Sequence, residues 1–149
     1  MIKLTAIALV ALNALFTASS SDQWSATLNP SGGGTISGTA TVEGVGTADS
    51  TLVKISVNGA APNATLPWHI HNGPCGATKA VLGSESAYPK LMTSDAGSAQ
   101  ASVTLPVRPS KTGSYAVQVH RGTAMPDKPG SDVIACGDLK LVMNKTPDQ

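Results

Sequence analysis

Aromatic residues are scarce in this chain, with two Trp, two Tyr and one Phe in 149 residues. The interior must therefore be filled by Val, Leu, Ile, Ala and Thr, as in many small β proteins. Charge is equally sparse: Lys and Arg number 10 against 9 Asp and Glu, for a formal net charge of +1, and neither sign runs in a block. That balance speaks against nucleic acid and against an anionic membrane surface as partners. The chain shows no dinucleotide fingerprint, phosphate-binding loop or nucleophile triad pattern, and no internal repeat, linker or strongly amphipathic helix. Cysteine is limited to Cys75 and Cys136, and histidine to His69, His71 and His120.

The one long apolar run is N-terminal. Lys3 gives a positive start, residues 4–16 are apolar apart from Thr5 and Asn13, and Ala18 and Ser20 occupy the small-residue positions of a cleavage site. This reads as a secretory signal peptide over residues 1–20, removed before Ser21, with an uncleaved anchor as the alternative. The run is short for a membrane span, and no cysteine follows it to carry a bacterial lipid anchor. The expectation is a secreted or periplasmic protein without membrane attachment after cleavage, consisting of one domain over residues 21–143 and a polar tail over 144–149. In an oxidising compartment a disulfide is the default for Cys75 and Cys136. It closes a loop of about 60 residues and contributes on the order of 4 kcal/mol. Free thiols used as metal ligands are the alternative.

Strand signals recur along the mature chain with turn chemistry between them. Residues 23–28 alternate around Trp24, Ala26 and Leu28, and residues 35–42 alternate again after a Pro/Gly-rich turn, predicting a hairpin. Further strands are predicted over 52–57, 66–71 (starting after Pro67), 98–105, 114–120 and 133–143, with an irregular stretch over 72–96 that holds a helical turn near 79–82. Roughly seven or eight short strands of this kind predict an all-β fold, a Greek-key antiparallel barrel or sandwich.

The histidines fall on these strands. In His69-Ile70-His71 the two imidazoles project to one face of a strand. His120 ends the alternating run over 114–120 and supplies a third from another strand. Imidazole suits copper, zinc, iron and nickel, so the pattern reads as a metal site without naming the metal. Incidental surface histidines are the bland alternative. Met92 and Met125 are soft-ligand candidates or packing residues. Asp127 and Asp132 read as loop charges, with Asp132 also a candidate to orient a ligand imidazole. Trp68 reads as core or pocket wall, and Asn63-Ala64-Thr65 matches a glycosylation acceptor pattern.

Four short segments carry a family resemblance. Trp68-His69-Ile70-His71 resembles the His-Val-His strand of the Cu,Zn superoxide dismutase family. Val117-Gln118-Val119-His120 is similar to its later strand ending in a copper-binding histidine. Ile134-Ala135-Cys136-Gly137 resembles its near-terminal Ala-Cys-Gly segment, and the run from Ala26 to Thr39 resembles its first hairpin. The segments occur in the family's order and span nearly the whole mature chain. The resemblance implies a superoxide dismutase-like, immunoglobulin-like Greek-key barrel, one copper ion held by His69, His71 and His120, and a Cys75–Cys136 disulfide.

The departures are specific. No histidine lies between His71 and His120, so the family's bridging imidazole and zinc site are missing and no zinc is expected. The loops after His71 and after His120 are short. Val133 stands three residues before Cys136, where the family has an active-site arginine. Arg121 reads chiefly as a solvated surface charge; substitution for that cation is the alternative, set against its place directly after His120, since successive strand residues face opposite ways. Without the bridge, proton delivery falls to water; without the arginine, the anion is held less well. The functional expectation is an exported copper protein, with superoxide as substrate if the site turns over. A non-enzymatic copper carrier or buffer, whose partner is the copper ion itself, is one alternative. Another is a structural β module similar to chordin-type domains, which also carry a His-Ile-His strand.

Overall fold

The structure, a computed structural model, describes residues 21–46, 48–122 and 132–143. The expected signal peptide and tail, Met125 and Asp127 lie outside the described residues. Among the described residues ten strands form: β1 (Gln23–Pro30), β2 (Ser37–Val45), β3 (Ser50–Asn58), β4 (Thr65–Leu66), β5 (Trp68–Asn72), β6 (Leu91–Met92), β7 (Ala99–Leu105), β8 (Tyr115–His120), β9 (Val133–Asp138) and β10 (Lys140–Val142). The one helical element among the described residues is a 3-10 turn over Glu85–Ala87. No helix there is long and apolar enough to cross a membrane.

Period-two alternation builds the sheet. Trp24, Ala26 and Leu28 of β1 are buried while Ser25, Thr27 and Asn29 face outward. Antiparallel register sets Trp24 opposite Val42 and Ala26 opposite Ala40, then Val42 opposite Val53 and Ala40 opposite Ile55, so one inner face runs across three strands. Burying each large aliphatic side chain contributes about 1.5–3 kcal/mol. The strand order is β5-β8-β9-β1-β2-β3-β7, with all pairings antiparallel. β7 returns beside β3 and β8 beside β5, which is a Greek-key crossover. The sheet curls because β1 serves two partners: Gln23–Ser25 pair with β10, and Asn29 and Pro30 pair with β9. The all-β barrel expectation is met. Gly137 lies where β9 meets β1, and a Cβ there would overlap the Thr27 carbonyl oxygen.

The strand expected to start after Pro67 does so as β5, which pairs with β8, while Leu66 belongs to the separate short strand β4 paired with β6. Pro67 offers only its carbonyl, which accepts from the His120 backbone N–H at 2.8 Å. One detail differs from the sequence reading. The helical turn expected near 79–82 is instead an extended segment bonded to the edge of β5. Lys79 N–H donates to Asn72 O at 2.6 Å, Asn72 N–H to Ala80 O at 3.0 Å and Leu82 N–H to Ile70 O at 2.7 Å. Four residues cannot nucleate a stable helix against an unpaired strand edge that offers ready hydrogen bonds.

Candidate metal centre

β5 sorts its side chains by period two. Trp68 and Ile70 point into the core, at 1% and 0% exposure, and His69 and His71 point to the outer face. Residues directly opposite in a sheet share a face. His69 lies opposite Gln118 and His71 opposite Ala116, so the outer face continues along β8 through Gln118 to His120. The β8–β9 register shifts between Val119 and His120. Such a bulge re-aims the side chain beside it.

The three imidazoles converge. One ring nitrogen from each of His69, His71 and His120 lies within 4.8 Å of the others. Ring centroids are separated by 5.9 Å for His69 and His71, 5.3 Å for His69 and His120, and 5.8 Å for His71 and His120. An ion bonded at about 2 Å to each nitrogen is reached from this arrangement by side-chain adjustments of less than about an ångström.

Hydrogen bonds decide which nitrogens are free. His71 Nδ1 lies 2.8 Å from the Lys79 carbonyl oxygen. A carbonyl only accepts, so Nδ1 donates, and in the neutral ring Nε2 then keeps its lone pair. His120 Nδ1 lies 3.1 Å from Asp132 Oδ2, and the same reasoning leaves its Nε2 unprotonated. Both Nε2 atoms are buried and have no hydrogen-bond partner among the described residues. Buried polar atoms are rarely left so. Two orphan lone pairs beside a third imidazole fit a metal ion that accepts all three.

Protonation favours the same state. Burial holds His69 below the ordinary imidazole value, and the His120 and His71 charges push the same way against Glu85 and Asp132. Burial also lowers His120, with the Asp132 carboxylate partly opposing it. Both shifts favour the neutral ring that ligation requires.

The covering loop fixes His71. Gly73 turns the chain back at φ 92°, a left-handed conformation that glycine adopts without strain. Residues 74–82 then run over the outer face. Cys75 is bonded to Cys136, with Cα atoms 6.0 Å apart, and no free cysteine remains, so the thiolate-ligand alternative is set aside. Cys75 N–H also donates to Asp138 Oδ1 at 2.7 Å, and Gln118 Nε2 donates to Thr78 Oγ1 at 3.2 Å. The staple thus holds the loop whose Lys79 carbonyl sets the His71 tautomer.

Tyr88 was not singled out from sequence, because it sits in an irregular segment with no periodic signal. Its ring packs edge-on against His69 at 5.3 Å and Trp68 at 5.0 Å. Its hydroxyl donates to Leu82 O at 2.7 Å, and burial pushes its pKa up to about 12. Trp68 Nε1 donates to Pro89 O at 2.6 Å. Tyr88 walls the site as a neutral group, and Trp68 backs it from the core.

A cleft of about 430 Å³ opens beside the cluster, lined by His71, Thr78, Lys79, Gln118, His120 and Asp132 among others. A larger hollow of about 550 Å³ on the outer face of β2, β3 and β7 holds no histidine, so donor chemistry rather than size marks the site.

The other candidates lie elsewhere. Arg121 Nη2 donates to the Gly32 carbonyl at 3.3 Å, and the residue lines a separate hollow with Ile36, Ala60 and Leu66 that none of the three imidazoles lines. Val133 is paired with His120 in register and brings no charge. Met92 is 74% exposed on β6, opposite Thr65 of β4. Asn63 occupies an exposed turn, where its amide donates to Asp95 Oδ1 at 2.9 Å. Asp132, read chiefly as a loop charge, is instead the hydrogen-bond partner of His120. No protein-family model matches the chain, and no curated protein is a significant match to it.

Proposed function

We propose that this is an exported copper protein that holds a single ion through His69, His71 and His120 and acts on superoxide. The observation that carries the reading is the pair of buried, unpartnered Nε2 atoms on His71 and His120, each with its Nδ1 proton committed elsewhere. Copper is favoured over other imidazole-binding metals because Cu(II) heads the affinity order for divalent first-row ions at nitrogen sites. Bound copper supplies one-electron chemistry: an electron taken from one superoxide, which leaves as dioxygen, is returned to a second, which gains two protons as hydrogen peroxide.

The chain's residues supply the rest. His71 and His120 bind through Nε2, since each Nδ1 donates elsewhere. Tyr88 packs edge-on against His69 and shields it from water on that side, and the cleft beside His71 and His120 admits a small anion and the water that delivers protons. A copper carrier or buffer is the second reading. It is favoured by the placement of Arg121, whose guanidinium is engaged on the Gly32 carbonyl rather than at the imidazoles. A purely structural module leaves the two orphan nitrogens unexplained.

The test is superoxide consumption by copper-loaded protein after a chelator has stripped loose copper, since free copper ions dismutate superoxide themselves. Activity that survives the chelator and disappears in His120→Ala supports the enzyme. Retained copper without activity supports the carrier. Failure to retain any stoichiometric metal overturns both.

A further inference from the structure

We infer that Asp132 is a positioning residue for the metal centre: its carboxylate fixes His120 in the Nδ1–H tautomer and presents Nε2 to the ion. The inference rests on the reading of the three imidazoles as a metal site and adds a residue to it. Asp132 Oδ2 lies 3.1 Å from His120 Nδ1. The two side chains are 32% and 12% exposed, so the pair is partly shielded from water. Asp132 is held in turn by its backbone, since its carbonyl accepts from the Arg121 N–H at 2.7 Å. The carboxylate therefore meets the ring from a tethered position, across the break in β8–β9 register that separates Val119 from His120.

The chemistry follows from the acceptor. A carboxylate cannot donate when ionised, so the ring nitrogen facing it must. The other nitrogen then keeps its lone pair, and His120 Nε2 is the atom found buried and without a partner. A carboxylate behind a ligand imidazole also raises its basicity toward a metal and restrains its rotation, and losing such a partner typically costs 10–100-fold in metal affinity. His71 solves the same problem with a neutral acceptor, the Lys79 carbonyl. The site therefore has one ligand backed by a charge and one backed by a peptide group.

The experiment uses the full mature chain and two readouts. In the metal-free protein, nitrogen-15 NMR at a pH where the rings are neutral reports which nitrogen of each histidine bears the proton. Wild type is expected to show Nδ1–H at both His71 and His120. In Asp132→Ala, His120 is expected to shift to the Nε2–H form that free imidazole side chains prefer, while His71 stays as it was and serves as the internal control. Asp132→Asn keeps an acceptor and is expected to keep the Nδ1–H form, which provides a folded comparison should the alanine variant fail to fold.

Copper affinity is then measured by competition with a chelator of known strength. Asp132→Ala is expected to bind Cu(II) about 10–100-fold more weakly, and Asp132→Asn to fall between it and wild type. An unchanged His120 tautomer in Asp132→Ala overturns the inference. So does a switched tautomer with copper affinity within about twofold of wild type, which would make the contact merely structural. If wild type itself binds no copper, the proposed function fails, and the tautomer measurement still decides whether Asp132 orients His120.

Discussion

His71 and Lys79 are bound across the covering loop, with the ring Nδ1–H donating to the peptide carbonyl at 2.8 Å, and that loop is anchored to β9 by the Cys75–Cys136 disulfide. The staple therefore bears on a candidate ligand imidazole that it does not touch.

Replacing both cysteines (Cys75→Ser with Cys136→Ser) is expected to lower stability by about 2–5 kcal/mol, because the unfolded chain loses a cross-link spanning 61 residues. Copper affinity is expected to fall as well, since the Lys79 carbonyl is no longer held against His71. Denaturant unfolding and chelator competition measure the two effects separately. A folded double-serine protein with wild-type copper affinity contradicts the connection.

Stability of the metal-free protein is expected to depend on pH in one direction. Burial lowers His69 and His120 below the ordinary value of 6.5 in the folded state. As pH falls below that value the unfolded chain takes up protons first, so it is favoured. The contribution of these rings is complete above the unfolded value and is lost as pH falls through their folded values. Unfolding by urea at about pH 7.5 and about pH 5 checks the sign, with the lower midpoint expected at the acid condition. A higher midpoint there contradicts burial as the leading cause.

Trp68 ties the core to the site. It is 1% exposed, stacks edge-on with Tyr88 and donates to Pro89 O. Trp68→Ala is expected to cost about 3–5 kcal/mol. It also frees Tyr88 from the ring that backs it against His69. Trp68→Phe keeps the ring contact but loses the donor, and is expected to cost less. Thermal and urea unfolding of both variants check the order, and equal losses would place the value of Trp68 in its hydrogen bond alone.

The parts of the site legible in the sequence are those that follow from a strand's period of two. His69 and His71 share a face because one residue separates them, and Trp68 and Ile70 are buried for the same reason. The strand pattern and the cysteine pair carried the all-β fold and the disulfide equally well. Other contacts have no linear signature. Asp132 reaches His120 only through the bulge after Val119, and Tyr88 reaches His69 from a segment without periodicity. Residues 79–82 resembled a helical turn as an isolated string. The free edge of β5, a tertiary feature, drew them into extended hydrogen bonding.

Titrating the purified mature protein with Cu(II) and recording its paramagnetic resonance is the most direct test of the three-imidazole centre. One tightly held Cu(II) per chain is expected, with a nitrogen-rich signal that loses a nitrogen, and most of its affinity, in His120→Ala. Binding that is weak, non-stoichiometric, or the same in His120→Ala as in wild type would contradict convergence of His69, His71 and His120 on one ion.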